Sequence, residues 1–286
     1  MTPIAAGVTN SQGIFDSPPL QPGTYLVREI NPPKGFMFSD KAKSEQVVVV
    51  KGGDGKVIVK VDNIRLPEID IEKVDSQTGE HLAGFTFTLQ EADDTSAKLC
   101  TYTTDSTGII KIPELRPGTY TISETACPPK YLLDAPASQT IQVNGGDVKL
   151  VKFSDTLKPT LVVTKENGTT GQPLKGATFS ISWDNPAGGT EVLGTTYKTD
   201  DNGQIIIPYV NPGWYSVTET APAPGSTLPS NPTRRIYLAP GTNSYSSNAG
   251  GTQGGVPGLS AANAYGMKNI YVTAVKLRTI YAHGCT

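Results

Sequence analysis

The chain has 286 residues, and its 24 Lys and Arg against 26 Asp and Glu give a formal net charge of −2. A nearly neutral chain lacks the basic surface that binds nucleic acid or anionic membranes, so we expect neither as a partner. Its 2 His and 3 Cys stand at no metal-ligand spacing, so we expect no metal site and no cofactor. The 30 Gly and 23 Pro predict many turns and favour an all-β protein.

The N-terminal segment and the hydropathy of the chain show no membrane or export signal. There is no run of 18 apolar residues, so no transmembrane helix is expected. Residues 1–6 have neither the basic nor the apolar segment of a signal peptide. We therefore expect this sequence to be a piece of a longer protein.

Three segments of the chain repeat one another, which is the strongest pattern in the sequence. In each segment a turn ending in glycine is followed by a Pro-Gly turn, a tyrosine and then a glutamate. Both the turn glycine and the glutamate recur at intervals of 95 residues. The residues are Gly13, Gly108 and Gly203, and Glu29, Glu124 and Glu219.

A second set of landmarks recurs at an interval of 92 residues. Lys73 and Lys165 each precede a turn that ends in Thr-Gly, and each lies ten residues after Asn63 or Asp155. Two independent sets of landmarks in register predict that the chain is built of homologous units rather than of one large domain.

Each unit is predicted to be a β-sandwich of about 90 residues. In the second unit, alternating apolar residues predict strands around 69–73, 85–89, 119–123, 141–143 and 148–153. Turn residues separate these segments, and no segment has a helical period. The sequence therefore predicts serial sandwiches without helices.

The landmarks also predict where the units begin and end. Residues 66–158 hold a complete unit, bounded by Leu-Pro and Lys-Pro pairs. The third unit, 159–286, carries a glycine-rich insertion near 240–266. Residues 1–65 match only the C-terminal half of a unit, because the 51 residues between Lys73 and Glu124 would place the corresponding lysine before residue 1.

Three motifs of the second unit resemble the Cna B-type domains of Gram-positive surface proteins, which also occur in SpaA-like pilin backbones. They are the Lys-x-Asp-x-x-Thr-Gly segment at 73–79, the Gly-Thr-Tyr turn at 118–120 and the Glu-Thr-Ala-x-Pro box at 124–128. The resemblance covers nearly the whole chain apart from about 240–266. It implies tandem Ig-like (prealbumin-like) β-sandwiches.

The resemblance also implies an intramolecular isopeptide bond between a first-strand lysine and a last-strand Asn or Asp, beside a buried glutamate. In the second unit these residues are Lys73, Asp155 and the catalytic Glu124. Burial favours the uncharged forms of lysine and glutamate. The amine can then attack while the acid polarises the carbonyl and moves protons.

In the third unit the resemblance implies Lys165 as the bond-forming lysine and Glu219 as the catalytic residue. Asn269 is the favoured acceptor, because Met267-Lys268-Asn269 repeats the apolar-x-acceptor order of Phe153-Ser154-Asp155. Asn248, in the glycine-rich loop, is the alternative acceptor.

The first unit keeps Glu29 and Asn63 as remnants of the same site, without the lysine. Cys100 and Cys127 of the second unit would pair only if their strands are neighbours, so a disulfide and two separate thiols both remain open.

These expectations favour a structural role. The chain is predicted to be a stalk region of a secreted, cell-wall-anchored pilin or adhesin, in contact with neighbouring domains or pilin subunits. It would not be an enzyme, apart from forming each isopeptide bond once. Two alternatives stay open: a module that binds a host extracellular ligand or glycan through the third unit's loop and tyrosines, and accessory domains of a secreted enzyme.

Overall fold

The computed structural model describes residues 4–40, 45–53, 55–92 and 99–241, together with the backbone of 274–279. The regular elements in these ranges are all β-strands, as the alternating apolar pattern predicted. In the described part there is no helix with the length and apolar character needed to span a membrane. The strands are β1 Gly23–Val27, β2 Phe36–Phe38, β3 Gln46–Val50, β4 Asn63–Arg65, β5 Glu68–Asp75, β6 Thr86–Glu91, β7 Cys100–Thr103, β8 Ile109–Ile112, β9 Gly118–Ala126, β10 Tyr131–Leu132, β11 Ser138–Val143, β12 Val148–Leu157, β13 Leu161–Asn167, β14 Thr178–Asp184, β15 Thr190–Lys198, β16 Gln204–Ile207, β17 Gly213–Ala221, β18 Thr233–Leu238 and β19 Ala274–Thr279.

Strands β5 to β12 form two four-stranded sheets around one core. The strand orders are β10-β12-β5-β8 and β11-β9-β6-β7. Alternate residues of both sheets enter the core, where Ile69 and Ile71 of β5 and Phe87 of β6 are fully buried. This is the sandwich that the period-2 pattern predicts.

The first and last strands of this sandwich, β5 and β12, are neighbours and run parallel. Phe153 lies opposite Lys73, and Asp155 lies opposite Asp75. Parallel neighbours need a long connection, and here the connection holds the six strands β6 to β11. The pairing brings the two ends of the sandwich together in one sheet.

Strands β13 to β19 repeat this arrangement with the orders β16-β13-β19 and β15-β14-β17-β18. The core of this group contains the fully buried Leu161, Phe179 and Val217. Strand β13 pairs in parallel with β19, as β5 pairs with β12.

Strands β1 to β4 form two two-stranded ladders, β1-β3 and β2-β4. The β2-β4 ladder places Phe36 opposite Arg65, which matches Tyr131 opposite Leu157 in the β10-β12 ladder. Much of the apolar surface of β3 faces solvent, since Val47 is 66% exposed and Val49 is 55% exposed. This region therefore has less apolar cover than the two sandwiches.

Candidate functional site

The backbone around Lys73 is held by the turn glycine of the repeat. The Lys73 N–H donates to the Gly108 carbonyl at 2.8 Å. Gly108 has a φ of +66°, and a Cβ added there would lie 2.8 Å from the Lys73 carbonyl oxygen. Only glycine fits this conformation and this close approach without strain. The turn glycine of the repeat thus fixes the position of the lysine.

The same contact recurs in the next sandwich. The Lys165 N–H donates to the Gly203 carbonyl at 2.8 Å. A Cβ at Gly203 would lie 2.5 Å from the Lys165 carbonyl oxygen. The 95-residue glycine landmark therefore has a structural cause in both sandwiches.

Lys73, Glu124 and Asp155 meet inside the sandwich formed by β5 to β12. The Lys73 Nζ lies 2.8 Å from Glu124 Oε2 and 2.7 Å from Asp155 Oδ1. All three side chains are buried, with exposed fractions of 0%, 1% and 0%. The Nζ also lies 4.7 Å from the centre of the Phe85 ring. The three predicted residues of the second unit are thus in direct contact in an apolar enclosure.

The electrostatics of the cluster favour a protonated glutamate. The pKa of Glu124 is raised to about 7, mainly by burial and to a smaller extent by the Asp155 carboxylate, against the lowering effect of the Lys73 ammonium. Glu124 Oε1 and Asp155 Oδ2 are buried without a hydrogen-bond partner among the described residues. A protonated carboxyl that contacts an amine and a second carboxyl can serve as a general acid between them.

One contact of the cluster was absent from the sequence-based prediction. The Asp134 N–H donates to Asp155 Oδ1 at 3.1 Å, and Asp134 Oδ2 accepts the Thr156 hydroxyl at 2.5 Å. Asp134 lies in the loop between β10 and β11, outside every repeat landmark. No local pattern in the sequence indicates that this loop folds back onto β12.

In the sandwich formed by β13 to β19, Lys165 and Glu219 are also in contact. The Lys165 Nζ lies 2.6 Å from Glu219 Oε2, and both side chains are 1% exposed. The two proposed acceptors, Asn269 and Asn248, lie outside the described residues. In the backbone register of β13 and β19, Thr279 lies opposite Asn167 and so takes the position that Asp155 has opposite Asp75.

The remnant site of the first unit keeps its two residues together. Asn63 Nδ2 donates to Glu29 Oε1 at 2.8 Å. Glu29 Oε2 and Asn63 Oδ1 are buried and have no hydrogen-bond partner among the described residues. The pair matches Glu124 and Asp155 in position, and the described residues place no lysine between its two members.

The two described cysteines carry thiols and are not joined to each other. Cys100 lies opposite Leu89 at the edge of its sheet, whereas Cys127 follows β9 and donates to the Tyr131 carbonyl at 3.7 Å. Within the described residues there is also no group of three His, Cys, Asp or Glu side chains suited to a metal ion.

Comparisons with known proteins extend these observations. A family model described as "SpaA: Prealbumin-like fold domain" matches residues 67–156 and again 159–239. No curated protein matches the chain.

Several solved structures of Gram-positive proteins are similar in part. The Bacillus anthracis TIE protein is 24% identical, over 82% of this chain and 42% of that protein, with a TM-score of 0.37. This chain therefore spans about two fifths of the TIE protein. A Streptococcal ancillary pilin is 18% identical over 77% of this chain and 72% of its own, with a TM-score of 0.35. The shaft pilin SpaA from Lactobacillus rhamnosus GG is 15% identical over 60% of this chain and 93% of its own, with a TM-score of 0.38.

The family model covers more than half of the chain, and its two matches coincide with two sandwiches in which a buried lysine contacts a buried glutamate. The all-β prediction and the resemblance stated from the sequence are both confirmed. The chain belongs to the SpaA family of prealbumin-like fold domains, of which it contains two in tandem.

Proposed function

We propose that this chain is a stalk segment of a Gram-positive pilin or cell-wall adhesin, and that amide bonds between side chains lock its domains. The observation that carries this proposal is the buried contact of Lys73, Glu124 and Asp155 between the first and last strands of one domain. All of the reacting groups, the Lys73 amine and the Glu124 and Asp155 carboxyls, belong to the chain itself. The proposed reaction therefore needs no separate substrate.

The proposed reaction in the 67–156 domain is a condensation that occurs once. The neutral Lys73 amine attacks the Asp155 carboxyl carbon while protonated Glu124 hydrogen-bonds its oxygen. The new bond joins Lys73 Nζ to Asp155 Cγ, and the C–O bond of the same carboxyl breaks. The amine and the carboxyl are made neutral beforehand, when the Lys73 ammonium gives one proton to the Asp155 carboxylate. Glu124 then accepts a proton from the attacking lysine nitrogen and gives one to the departing hydroxyl oxygen, which leaves as water. Folding supplies the proximity that a substrate-binding step would otherwise supply.

The bond would change how the domain responds to force. It would enclose the residues between positions 73 and 155, a separation of 82 residues. By analogy with a disulfide, closing a loop of this length stabilises the domain by about 4 kcal/mol. A pulling force would pass from β5 directly to β12 and would bypass the core between them.

The other two sites fit the same proposal. In the third unit, Lys165 and Glu219 would act with Asn269 as the acceptor and would release ammonia instead of water. This bond requires the last strand to leave the register in which Thr279 occupies the acceptor position. In residues 1–65, Glu29 and Asn63 would complete a bond only with a lysine-bearing strand from outside this sequence. We therefore treat residues 1–65, 66–158 and 159–286 as three units of one stalk.

The stalk would be secreted and held at the cell wall, with neighbouring domains or other pilin subunits as its partners. Single-molecule stretching tests this mechanical role. The unmodified 67–156 domain should not extend between residues 73 and 155. In an Asp155→Ala variant, this segment should extend by roughly 300 Å. A Thr140→Ala variant, at an exposed position of β11, is the control, and we expect it to remain locked.

Equal extension of the unmodified domain and the variant would contradict the proposal. If the unmodified domain and the Asp155→Ala domain extend by the same length, no covalent bond joins β5 to β12, and the proposed mechanical role is wrong.

A ligand-binding role is a second candidate because of one surface of the 159–239 domain. Trp214 is 37% exposed, its ring lies 5.5 Å from the Tyr237 ring, and the Arg235 guanidinium stacks on it at 5.1 Å. Such an aromatic and polar surface suits the apolar face and hydroxyl groups of a sugar. Glycan-array binding that is lost in Trp214→Ala and kept in Thr119→Ala, the matching position of the other domain, would favour this role.

A further inference from the structure

The chain segments that connect successive units are hydrogen-bonded on both sides. Residues 65–67 connect β4 to β5, and residues 157–159 connect β12 to β13. At the first connector, the bonds alternate between the following unit and the preceding one. They are Gly146 N–H to Arg65 O at 2.7 Å, Leu66 N–H to Gly35 O at 2.9 Å, and Leu115 N–H to Pro67 O at 3.0 Å.

The second connector makes the same three bonds in the same order. They are Gly241 N–H to Leu157 O at 2.9 Å, Lys158 N–H to Lys130 O at 2.8 Å, and Val210 N–H to Pro159 O at 2.9 Å. Each connector residue is 92 positions after its counterpart, and each partner is 95 positions after its counterpart. The two boundaries therefore use one joint, built twice from equivalent residues.

Little conformational freedom remains in either connector. Pro67 and Pro159 have a fixed φ and no N–H to satisfy. Of the other two residues in each connector, the first accepts a hydrogen bond from the following unit through its carbonyl oxygen. The second donates its N–H to the preceding unit. Each last strand thus continues almost directly into the next first strand, β4 into β5 and β12 into β13.

At each joint, a glycine in a turn of the following unit packs closely against side chains of the preceding unit. A Cβ added at Gly145 would lie 2.8 Å from both Ile64 Cγ2 and Met37 Sδ of the preceding unit. A Cβ added at Gly241 would lie 1.8 Å from Gln77 Nε2. An alanine at either position would have to displace a side chain of the neighbouring unit, so the two units are in direct contact at each turn.

We propose that the two connectors are rigid joints that hold each unit in one fixed orientation on the preceding unit, and that the same orientation recurs at both boundaries. Tandem domains in one chain usually move relative to one another. This chain would instead be a rod with a constant rotation from unit to unit. The proposal does not depend on any side-chain amide bond.

Residual dipolar couplings of the full chain test this proposal. In a rigid rod, backbone N–H couplings of residues 67–156 and of 159–239 fit one common alignment tensor. In a flexible chain, the two domains show tensors of different magnitude, because motion between them averages the couplings. We expect a common tensor, and two tensors of clearly different magnitude would overturn the proposal.

A pair of glycine variants tests which contact fixes the second joint. In Gly241→Ala, the new methyl group should clash with Gln77 and loosen the joint. We expect the magnitude of the alignment tensor to become about twofold or more smaller for one domain than for the other. Gly171→Ala is the matched control, because Gly171 also has a positive φ of +72° but nothing within 4 Å of an added Cβ. Its domains should keep the common tensor.

A second substitution distinguishes a lost joint from a damaged domain. Adding Gln77→Ala to Gly241→Ala removes the clashing amide from the other domain, and we expect the common tensor to return. If Gly241→Ala keeps the common tensor, or if the double variant fails to recover it, the role assigned to the Gly241–Gln77 contact is wrong. The tensors of the unmodified chain decide whether the joint itself is rigid.

Discussion

Lys73 is an ammonium-bearing side chain with no exposed surface, and its contacts within hydrogen-bond distance are Glu124 and Asp155. Burying an ion pair costs several kcal/mol of desolvation for each ion, which the attraction between the two charges only partly offsets. An amide bond removes the charges of Lys73 and Asp155 and with them most of this cost. The residue that keeps a titratable group is Glu124, whose raised pKa already favours its neutral form.

Replacing Glu124 tests its catalytic role directly. Glu124→Gln keeps the shape of the side chain but removes the exchangeable carboxyl proton. We expect the variant to fold and to retain a free Lys73, with a melting temperature lower by on the order of 20 °C because the closed loop is lost. Glu80→Gln, at an exposed position in the nearby turn, is the control. A complete Lys73–Asp155 bond in Glu124→Gln would show that Glu124 only packs.

The rate of bond formation should depend on pH through the same residue. Glu124 has a pKa of about 7, raised by burial from its ordinary value near 4.5. The reaction needs the protonated form, so its rate should be highest below that pKa. It should fall about tenfold per pH unit above it.

This pH profile is measured on chain that is recovered in denaturant before it has folded and reacted. The chain is refolded between about pH 5.5 and pH 8.5, and mass spectrometry at timed intervals gives the rate of bond formation. Circular dichroism at each pH separates the rate of folding from the rate of bond formation. A rate that stays level or rises above pH 7 contradicts the assigned role of Glu124.

At the scale of the strands, the sequence predicted what local patterns encode. Alternating apolar residues predicted strands β5, β6 and β9. The repeat spacing predicted that Lys73 and Glu124 lie on strands equivalent to those of Lys165 and Glu219 in the next unit. The parallel pairing of β5 with β12 follows from no local pattern, because it joins strands on opposite sides of six others. The resemblance to a known family implied that the first and last strands meet, but not that they pair in parallel. The contact from the Asp134 loop had no signal in the sequence.

The first unit should be the least protected part of the described chain. Its strands form only two-stranded ladders, which are marginally stable without further cover. Amide protons of β3 should therefore exchange at least about tenfold faster than those of β11 and β12. Equal protection in the monomeric chain would mean that residues 1–65 fold as a complete unit and that the predicted unit boundaries are wrong.

The acceptor in the third unit is the part of the site prediction that most needs a separate measurement. A bond from Lys165 to Asn269 would make the chain lighter by one ammonia, in addition to any loss of water. We expect this loss to disappear in Asn269→Ala and to persist in Asn248→Ala. If no variant and no unmodified chain shows the loss of ammonia, Lys165 and Glu219 form a buried ion pair and nothing more.

At the scale of the whole molecule, the two proposals describe one path for force. Strand β4 continues into β5, the proposed Lys73–Asp155 bond crosses to β12, and β12 continues into β13. Only short extended segments would lie on this path, so most of each sandwich would carry no tension. The family assignment and the repeated joints favour a stalk that extends by adding such units.

The proposed stalk depends above all on a covalent bond between Lys73 and Asp155, and the intact mass of the purified chain is the sharpest test of that bond. The intact mass should be lower by one water. A tryptic map should locate this loss in a peptide that links the segments around Lys73 and Asp155, and it should show no cleavage after Lys73. An Asp155→Ala chain provides the reference in which trypsin cleaves after Lys73. An unmodified chain in which trypsin releases an unlinked peptide ending at Lys73, with no water lost at this site, would show that this bond does not form.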